Sequence, residues 1–279
     1  MTSPQATTSV SDTSTWLPLE GLAPGFDANK ARPSRDLAGR TLTTVDARGT
    51  RVEHRFDADT DTVSWSYRPG EGDPIAESVG LDPYEAFEVD EGLYFAQFHH
   101  RHQPNEAVSL VLDLREGRVL TVISTIGDDV PGQTRVQHHF VAGQLDGRLP
   151  TGQAPAPTTD LLGRRVFWQY SPEHAYEHVY LSSQLYTWQC LAGPERGLAD
   201  TDVNTVYRIR PGIYVFAWRE KVIPCASVTI ADHRTASAIR SHGVLFGLDE
   251  SGTVPTHFTF GAHGRLISQT VHPEGFEPA

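Results

Sequence analysis

With 279 residues the chain is long enough for one large domain or two of ordinary size, and 35 acidic against 23 basic residues leave a formal net charge of −12. That balance argues against a protein that tracks a nucleic-acid backbone or sits on anionic lipid. Hydrophobic residues make up 38% of the chain, and apolar runs such as 213–218 fall far short of the ~20 residues that span a bilayer.

The first 14 residues are rich in Ser and Thr and have neither a basic start nor an apolar core, so they do not read as a signal peptide. They are expected to be disordered, and the chain to be cytoplasmic. Cys190 and Cys225 form neither a disulfide framework nor a CxxC metal site. Residues 16–33 are irregular and are expected to pack across a barrel through Trp16. The N-terminal extension is read as 1–35.

Period-two alternation then predicts strands near 40–46, 51–56, 61–67, 84–89, 93–100, 106–114, 118–125 and 134–141, although 82–89 also suits a short helical turn. A linker rich in Pro, Gly, Thr and Ala covers 147–159. Beyond it, strands are predicted near 164–170, 174–181, 185–190, 204–209, 213–220, 225–231, 235–242, 255–260 and 264–270. About eight short strands in a hundred-odd residues is the count of a small up-and-down barrel. A pair of sandwiches is the rival all-β architecture.

The two halves repeat each other. Leu37-Ala38-Gly39-Arg40 returns 124 positions on as Leu161-Leu162-Gly163-Arg164, and Glu53-His54-Arg55-Phe56 returns at the same offset as Glu177-His178-Val179-Tyr180. Trp65 returns as Trp188, the strand after Gly92 as the strand after Gly212, and His139-Phe140 as His257-Phe258. The expected fold is all-β: two tandem antiparallel barrels from an internal duplication, at 36–146 and 160–279.

Alternation also assigns faces. Tyr214, Phe216, Trp218 and Glu220 share one face, expected to point into the second barrel; Tyr94, Ala96, Phe98 and His100 are their counterparts. His100 and Glu220 should lie near barrel mouths. His174, Tyr176, His178 and Tyr180 form a face that is a poor apolar core and a good wall for an aromatic or oxygenated ligand. The first copy places Thr50, Val52, His54 and Phe56 there, so the larger polar-lined cavity is expected in the second barrel. Glu220, flanked by rings, should have a raised pKa, with His178 as partner or, at a plain rim, Arg208 or Arg210.

His99, His100, His102, His138 and His139 look like metal ligands, but Arg101, Pro104 and Asn105 suggest a solvated loop, and no metal or cofactor is expected. The chain lacks GxGxxG, GxxxxGK[ST], GxSxG and HExxH motifs.

Leu161-Leu162-Gly163-Arg164, 176–181, Trp188-Gln189-Cys190, Gly197-Leu198-Ala199-Asp200 and 216–221, with Gly25-Phe26 upstream, resemble the molybdenum cofactor biosynthesis F (MoaF) family. The resemblance covers nearly the whole chain from Trp16. It implies two calycin-like (lipocalin-type) barrels and a place near molybdenum cofactor assembly. The sequence itself has no pterin-phosphate cradle, ATP site or Gly-Gly tail.

The leading expectation is a protein that holds a small aromatic or polyoxygenated molecule in the second barrel. His174, Tyr176, Trp188, Tyr214, Phe216 and Trp218 would bind it. An enzyme version would be a cofactor-independent isomerase, cyclase or lyase. In it His178 would shuttle protons, Tyr180 or Tyr176 would donate to an oxyanion, and Glu220 would orient or deprotonate. A carrier or accessory protein would use the same wall without chemistry, and a protein-binding subunit would show an apolar patch instead. Expected partners are a small molecule and, at most, a second copy in a homodimer, with neither nucleic acid nor membrane.

Overall fold

The alternating segments pair in chain order into two closed antiparallel barrels in a computed structural model that describes residues 16–278. The stretch expected to be disordered, 1–14, lies outside the described residues. The first barrel comprises β1 (Thr41–Asp46), β2 (Arg51–Phe56), β3 (Thr62–Arg68), β4 (Ser78–Asp90), β5 (Leu93–His99), β6 (Glu106–Asp113), β7 (Arg118–Ile126) and β8 (Val136–Leu145). It closes where β8 returns to β1, with Thr44 opposite Leu145. The short β9 (Ala156–Pro157) belongs to the edge of the second sheet. That sheet comprises β10 (Arg164–Gln169), β11 (Ala175–Tyr180), β12 (Leu185–Ala192), β13 (Ala199–Arg210), β14 (Ile213–Arg219), β15 (Cys225–Asp232), β16 (Ile239–Leu248) and β17 (Pro255–Gln269). It closes through β10–β17 and β12–β13. One short helix, α1 (Leu19–Leu22), precedes the barrels, and no helix among the described residues is long and apolar enough to cross a membrane.

The duplication reaches the level of single hydrogen bonds. Gly39 and Gly163 both take positive φ, at 76° and 74°, and their N–H groups donate to the carbonyls of Phe56 and Tyr180, each at 2.9 Å. Only glycine adopts that conformation without strain, which accounts for its presence in both copies. Gly92 and Gly212 likewise accept from Leu114 and His233 at 2.8 Å. A register shift between Glu88 and Asp90 recurs between Arg208 and Arg210.

Three element readings are corrected. Residues 82–89 are strand, part of β4, and not a helical turn. The strand near 235–242 is displaced to β16, and the pair 255–260 and 264–270 is one long strand, β17. Gly261 and Gly264 suggested a break. In the structure they are sites of close approach: a Cβ at Gly264 would lie 2.6 Å from the Trp168 ring, and one at Gly261 2.9 Å from the Asn29 carbonyl.

The barrels join through their outward faces. Leu93, Phe95, Val111, Leu120 and Val122 of the first pack against Ile213, Val215, Ala217, Val228 and Ile230 of the second in one buried cluster. Arg210 crosses this interface. Its guanidinium donates to both carboxylate oxygens of buried Asp113, at 2.7 and 2.8 Å, and to Asp90 at 2.8 Å. Removing one partner of such a pair strands the other charge in an apolar setting. Arg210→Met should therefore cost about 3–5 kcal/mol in urea unfolding. A loss below about 1 kcal/mol, the worth of a surface pair, would refute this role.

His242 lies at the same interface, stacked on Phe87 with ring centroids 5.3 Å apart, and its Nδ1 has no partner. Burial, and then Arg240, push its pKa down to about 4. The unfolded chain takes up this proton near pH 6.5 and the folded chain only near 4, so stability falls on acidification between those values. His242→Leu should be close to neutral at pH 7.5. Its advantage over wild type should then grow below pH 6.5 by up to ~1.4 kcal/mol per pH unit, measured by denaturant titration. Parallel pH profiles would exclude the effect.

Candidate functional site

Of the two barrel lumens, the first holds the larger cavity, which corrects the expectation that it lies in the second. It measures about 450 Å³. Val45, Val52, Val108, Val119, Ile123 and Val141 give it apolar walls, with the rings of Trp65, Tyr67 and Phe98 among them. Tyr84, Tyr94, Leu110 and Leu112 fill the remainder of this lumen. Asp73, Ile75, Ala76 and Glu77 also line the cavity, in a segment tied down where the Tyr67 hydroxyl donates to Asp73 and Thr50 Oγ1 approaches the same carboxylate at 3.3 Å.

A buried polar cluster reaches this cavity. His100 Nδ1 lies 2.7 Å from Asp82 Oδ2, which also accepts the indole N–H of Trp65 at 2.8 Å. Asp82 Oδ1 accepts the backbone N–H of Arg101 at 2.8 Å. On its other side His100 Nε2 is 3.4 Å from Glu106. Burial alone would lower the His100 pKa, but Glu106 and Asp82 together outweigh it and raise the value above 6.5. Burial likewise opposes ionisation of Asp82, and the bonds from His100, Trp65 and Arg101 overcome it, holding the carboxyl below its usual range. His54 lines the same cavity with Nδ1 unpartnered, and burial and then His100 push its pKa down to about 4. Two neighbouring imidazoles thus hold opposite tendencies toward a proton. Of the suspected metal-binding histidines, His99 approaches the Pro104 carbonyl at 2.6 Å, His100 turns inward, and His102 is exposed, so the run does not converge.

The second lumen is filled. Tyr176 and Tyr180 stand where the first barrel has Val52 and Phe56, and these rings meet in its core instead of walling an open space. Trp16, Leu19, Leu22 and Phe26 of the N-terminal segment complete the packing: Trp16 sits edge-on to Trp188 at 5.3 Å, and Phe26 stacks on Tyr170 at 4.2 Å. What remains is a cavity of about 60 Å³ and a void of about 10 Å³. His178, Tyr176, Trp188, Trp218 and Glu220 border the larger; Tyr180, Tyr214, Phe216 and again His178 border the smaller. His174 borders neither and bonds to Ser171 Oγ at 2.9 Å.

Glu220 behaves as its surroundings require, but its partner is not His178. Burial first, and then the charge of Asp202, push its pKa up to about 8. Its Oε1 accepts the backbone N–H groups of Lys221 and Val222 at 2.8 and 3.0 Å. Arg208 turns to Asp160 and Arg210 to the first barrel, so neither neutralises it. His178 is neutral, its pKa pushed down to about 3 by burial, and burial raises that of Tyr180. The Tyr176 hydroxyl donates to Glu195 at 3.0 Å. Oxygens of Asp200, Asp202 and Glu220 lie within 4.8 Å of one another, the spacing of a cation site, but Lys221 Nζ already sits 2.6 Å from Asp200.

The same constellation occurs in both barrels. Trp188 donates to Asp202 at 2.9 Å as Trp65 does to Asp82, and Glu220 stands in the place of His100. Sequence reading missed both aspartates, although Asp82 and Asp202 share the 120-residue offset of His100 and Glu220.

Comparison with known proteins places these residues in context. The MoaF N-terminal domain matches residues 14–128, and the MoaF C-terminal domain matches 155–270. The chain belongs to the MoaF family. Protein MoaF of Klebsiella aerogenes is 29% identical over 275 residues, covering 93% of this chain and 98% of that one. A putative beta-lactamase from Burkholderia vietnamiensis is 18% identical with a TM-score of 0.33, covering 45% of this chain and 99% of its own. A DUF3598-family protein of unknown function from Nostoc punctiforme is 12% identical with a TM-score of 0.34, covering 81% and 93%. The MoaF N-terminal match holds the Trp65–Asp82–His100 cluster and ends before β8, the strand that closes the barrel.

Asp82→Asn should lower the His100 pKa, because burial is then opposed by Glu106 alone, and imidazole proton NMR reads the change directly. The His100–Asp82 pair also contributes stability that is full below pH 6.5 and is lost as pH climbs through the raised His100 value. An unmoved His100 titration in Asp82→Asn would show that the pair does not govern it.

Proposed function

We propose that this MoaF-family protein binds a small, largely apolar molecule in the first barrel and that His100, backed by Asp82, exchanges a proton with it. The observation that carries this reading is a buried His–Asp pair opening onto a 450 Å³ cavity. An eight-stranded barrel is just wide enough for one small ligand. The valine and isoleucine walls favour an apolar body, and His54, His100, Glu106 and His139 favour one polar end. A histidine that titrates above 6.5 can give a proton at neutral pH and take one back. Isomerase, cyclase and lyase chemistries without a cofactor need that exchange.

The carrier reading rests on the apolar walls, which favour retention over turnover. A role beside molybdenum cofactor assembly, which the family name implies, suits the cavity less well. Asp46, Asp73, Glu77 and Glu106 line it against a single arginine, Arg48, so a phosphorylated pterin would meet mainly carboxylates.

Native mass spectrometry of the purified chain, alone and after exposure to candidate ligands, tests the reading. Wild type should retain a small molecule, and Val52→Phe should lose it, since the ring projects into the cavity as Tyr176 does in the second barrel. His100→Gln should weaken binding by roughly 1–3 kcal/mol, the cost of spoiling a charged hydrogen bond, and abolish any turnover. Retention unchanged in Val52→Phe would sink the proposal. Binding with no turnover in wild type would leave the carrier reading standing.

A further inference from the structure

We infer that the remaining cavity of the second barrel is a binding site for a small alkylammonium ion, with the Glu220 carboxylate as its counter-charge and the rings of Trp16, Trp188 and Trp218 as its walls. Aromatic rings closing on a carboxylate are the recognition chemistry of organic cations, because the negative ring faces and the acid attract the same charge. The cavity of about 60 Å³ is bordered by aromatic rings, Glu220 and Glu195, and by no lysine or arginine.

The free hydrogen-bonding positions point the same way. The Trp188 indole N–H is already donated to Asp202, and the Tyr176 hydroxyl to Glu195. Two buried positions are left over: Asp202 Oδ1 behind Glu220 has no hydrogen-bond partner, and neither does Nδ1 of His178, which borders the cavity and is 8% exposed. His178 is neutral at ordinary pH, so an imidazole lone pair is available. A ligand that donates hydrogen bonds and carries positive charge satisfies this set; an anion does not. An ammonium already approaches the carboxylates from outside, where Lys221 Nζ lies 2.6 Å from Asp200 and 3.9 Å from Asp202 Oδ1.

Size narrows the class. A cavity of about 60 Å³, where ~10–15 Å³ of such space already admits one water, takes only a few heavy atoms, as in ethylammonium. The tryptophan of the N-terminal segment forms part of the wall, so the ion must enter past it.

Ethylammonium chloride titrated into the full chain at pH 9, where Glu220 is ionised and the alkylammonium still carries its proton, and followed by the indole N–H resonances of Trp188 and Trp218, tests the assignment. Both should shift and saturate at millimolar ligand, with ethanol and acetate at equal concentration inert. Glu220→Gln, which keeps the shape, should weaken binding at least tenfold, while Val52→Phe in the first barrel should leave it unchanged. No shift of the Trp188 resonance in wild type, an equal response to ethanol, or Glu220→Gln within twofold of wild type would each overturn the site. So would a response to calcium with none to ethylammonium. If Glu220→Gln fails to fold, the wild-type contrast between ethylammonium and ethanol decides alone.

Discussion

Closing eight strands fixes the volume inside a barrel, and the rest of this molecule follows from that constraint. Strand number sets the radius, so whether the lumen is a core or a pocket depends only on what stands on the inward half of each strand. In the first barrel Val52, Val108, Thr121 and Val141 leave space. In the second, tyrosines and tryptophans take it up, and a segment from outside the barrel completes the filling. One fold repeated twice therefore yields two interiors with different chemistry. In each, an indole N–H holds one buried aspartate in place.

The Trp–Asp pair is the fixed part of both sites, and the third residue is the variable one. With His100 the aspartate gains a cationic partner and stays ionised. With Glu220 it gains a second acid, and burial raises both carboxyls toward the protonated form. A single exchange of residue type thus converts an ion pair into an acid pair on an unchanged scaffold, because desolvation opposes charge in both places and only the partner determines whether charge survives.

The architecture was legible from the residues for reasons the structure makes plain. Gly39 and Gly163 recur because a positive φ is needed at each, and the Tyr214, Phe216 and Trp218 face was correctly read as inward because alternation leaves no other choice. The raised pKa of Glu220 followed from the same alternation. The open cavity did not, because periodicity shows which side a ring faces and not whether neighbouring rings leave room beside it. His174 to Tyr180 read as a wall, and most of those rings are core. Asp82 lay in a stretch compatible with helix, and Asp202 lay before the predicted start of its strand, so neither was placed on an inward face.

The inter-barrel interface carries a last consequence. Leu93 and Phe95 of one copy and Ile213 and Val215 of the other hold equivalent strand positions, so the two barrels meet through the same face. Two copies of one fold are thus joined through equivalent strands within one polypeptide. In a pair of identical chains, any substitution that filled one lumen would fill both. Covalent linkage breaks that equality: one half is free to stay hollow while its twin turns solid, and the shared face holds the two outcomes at a fixed ratio of one to one.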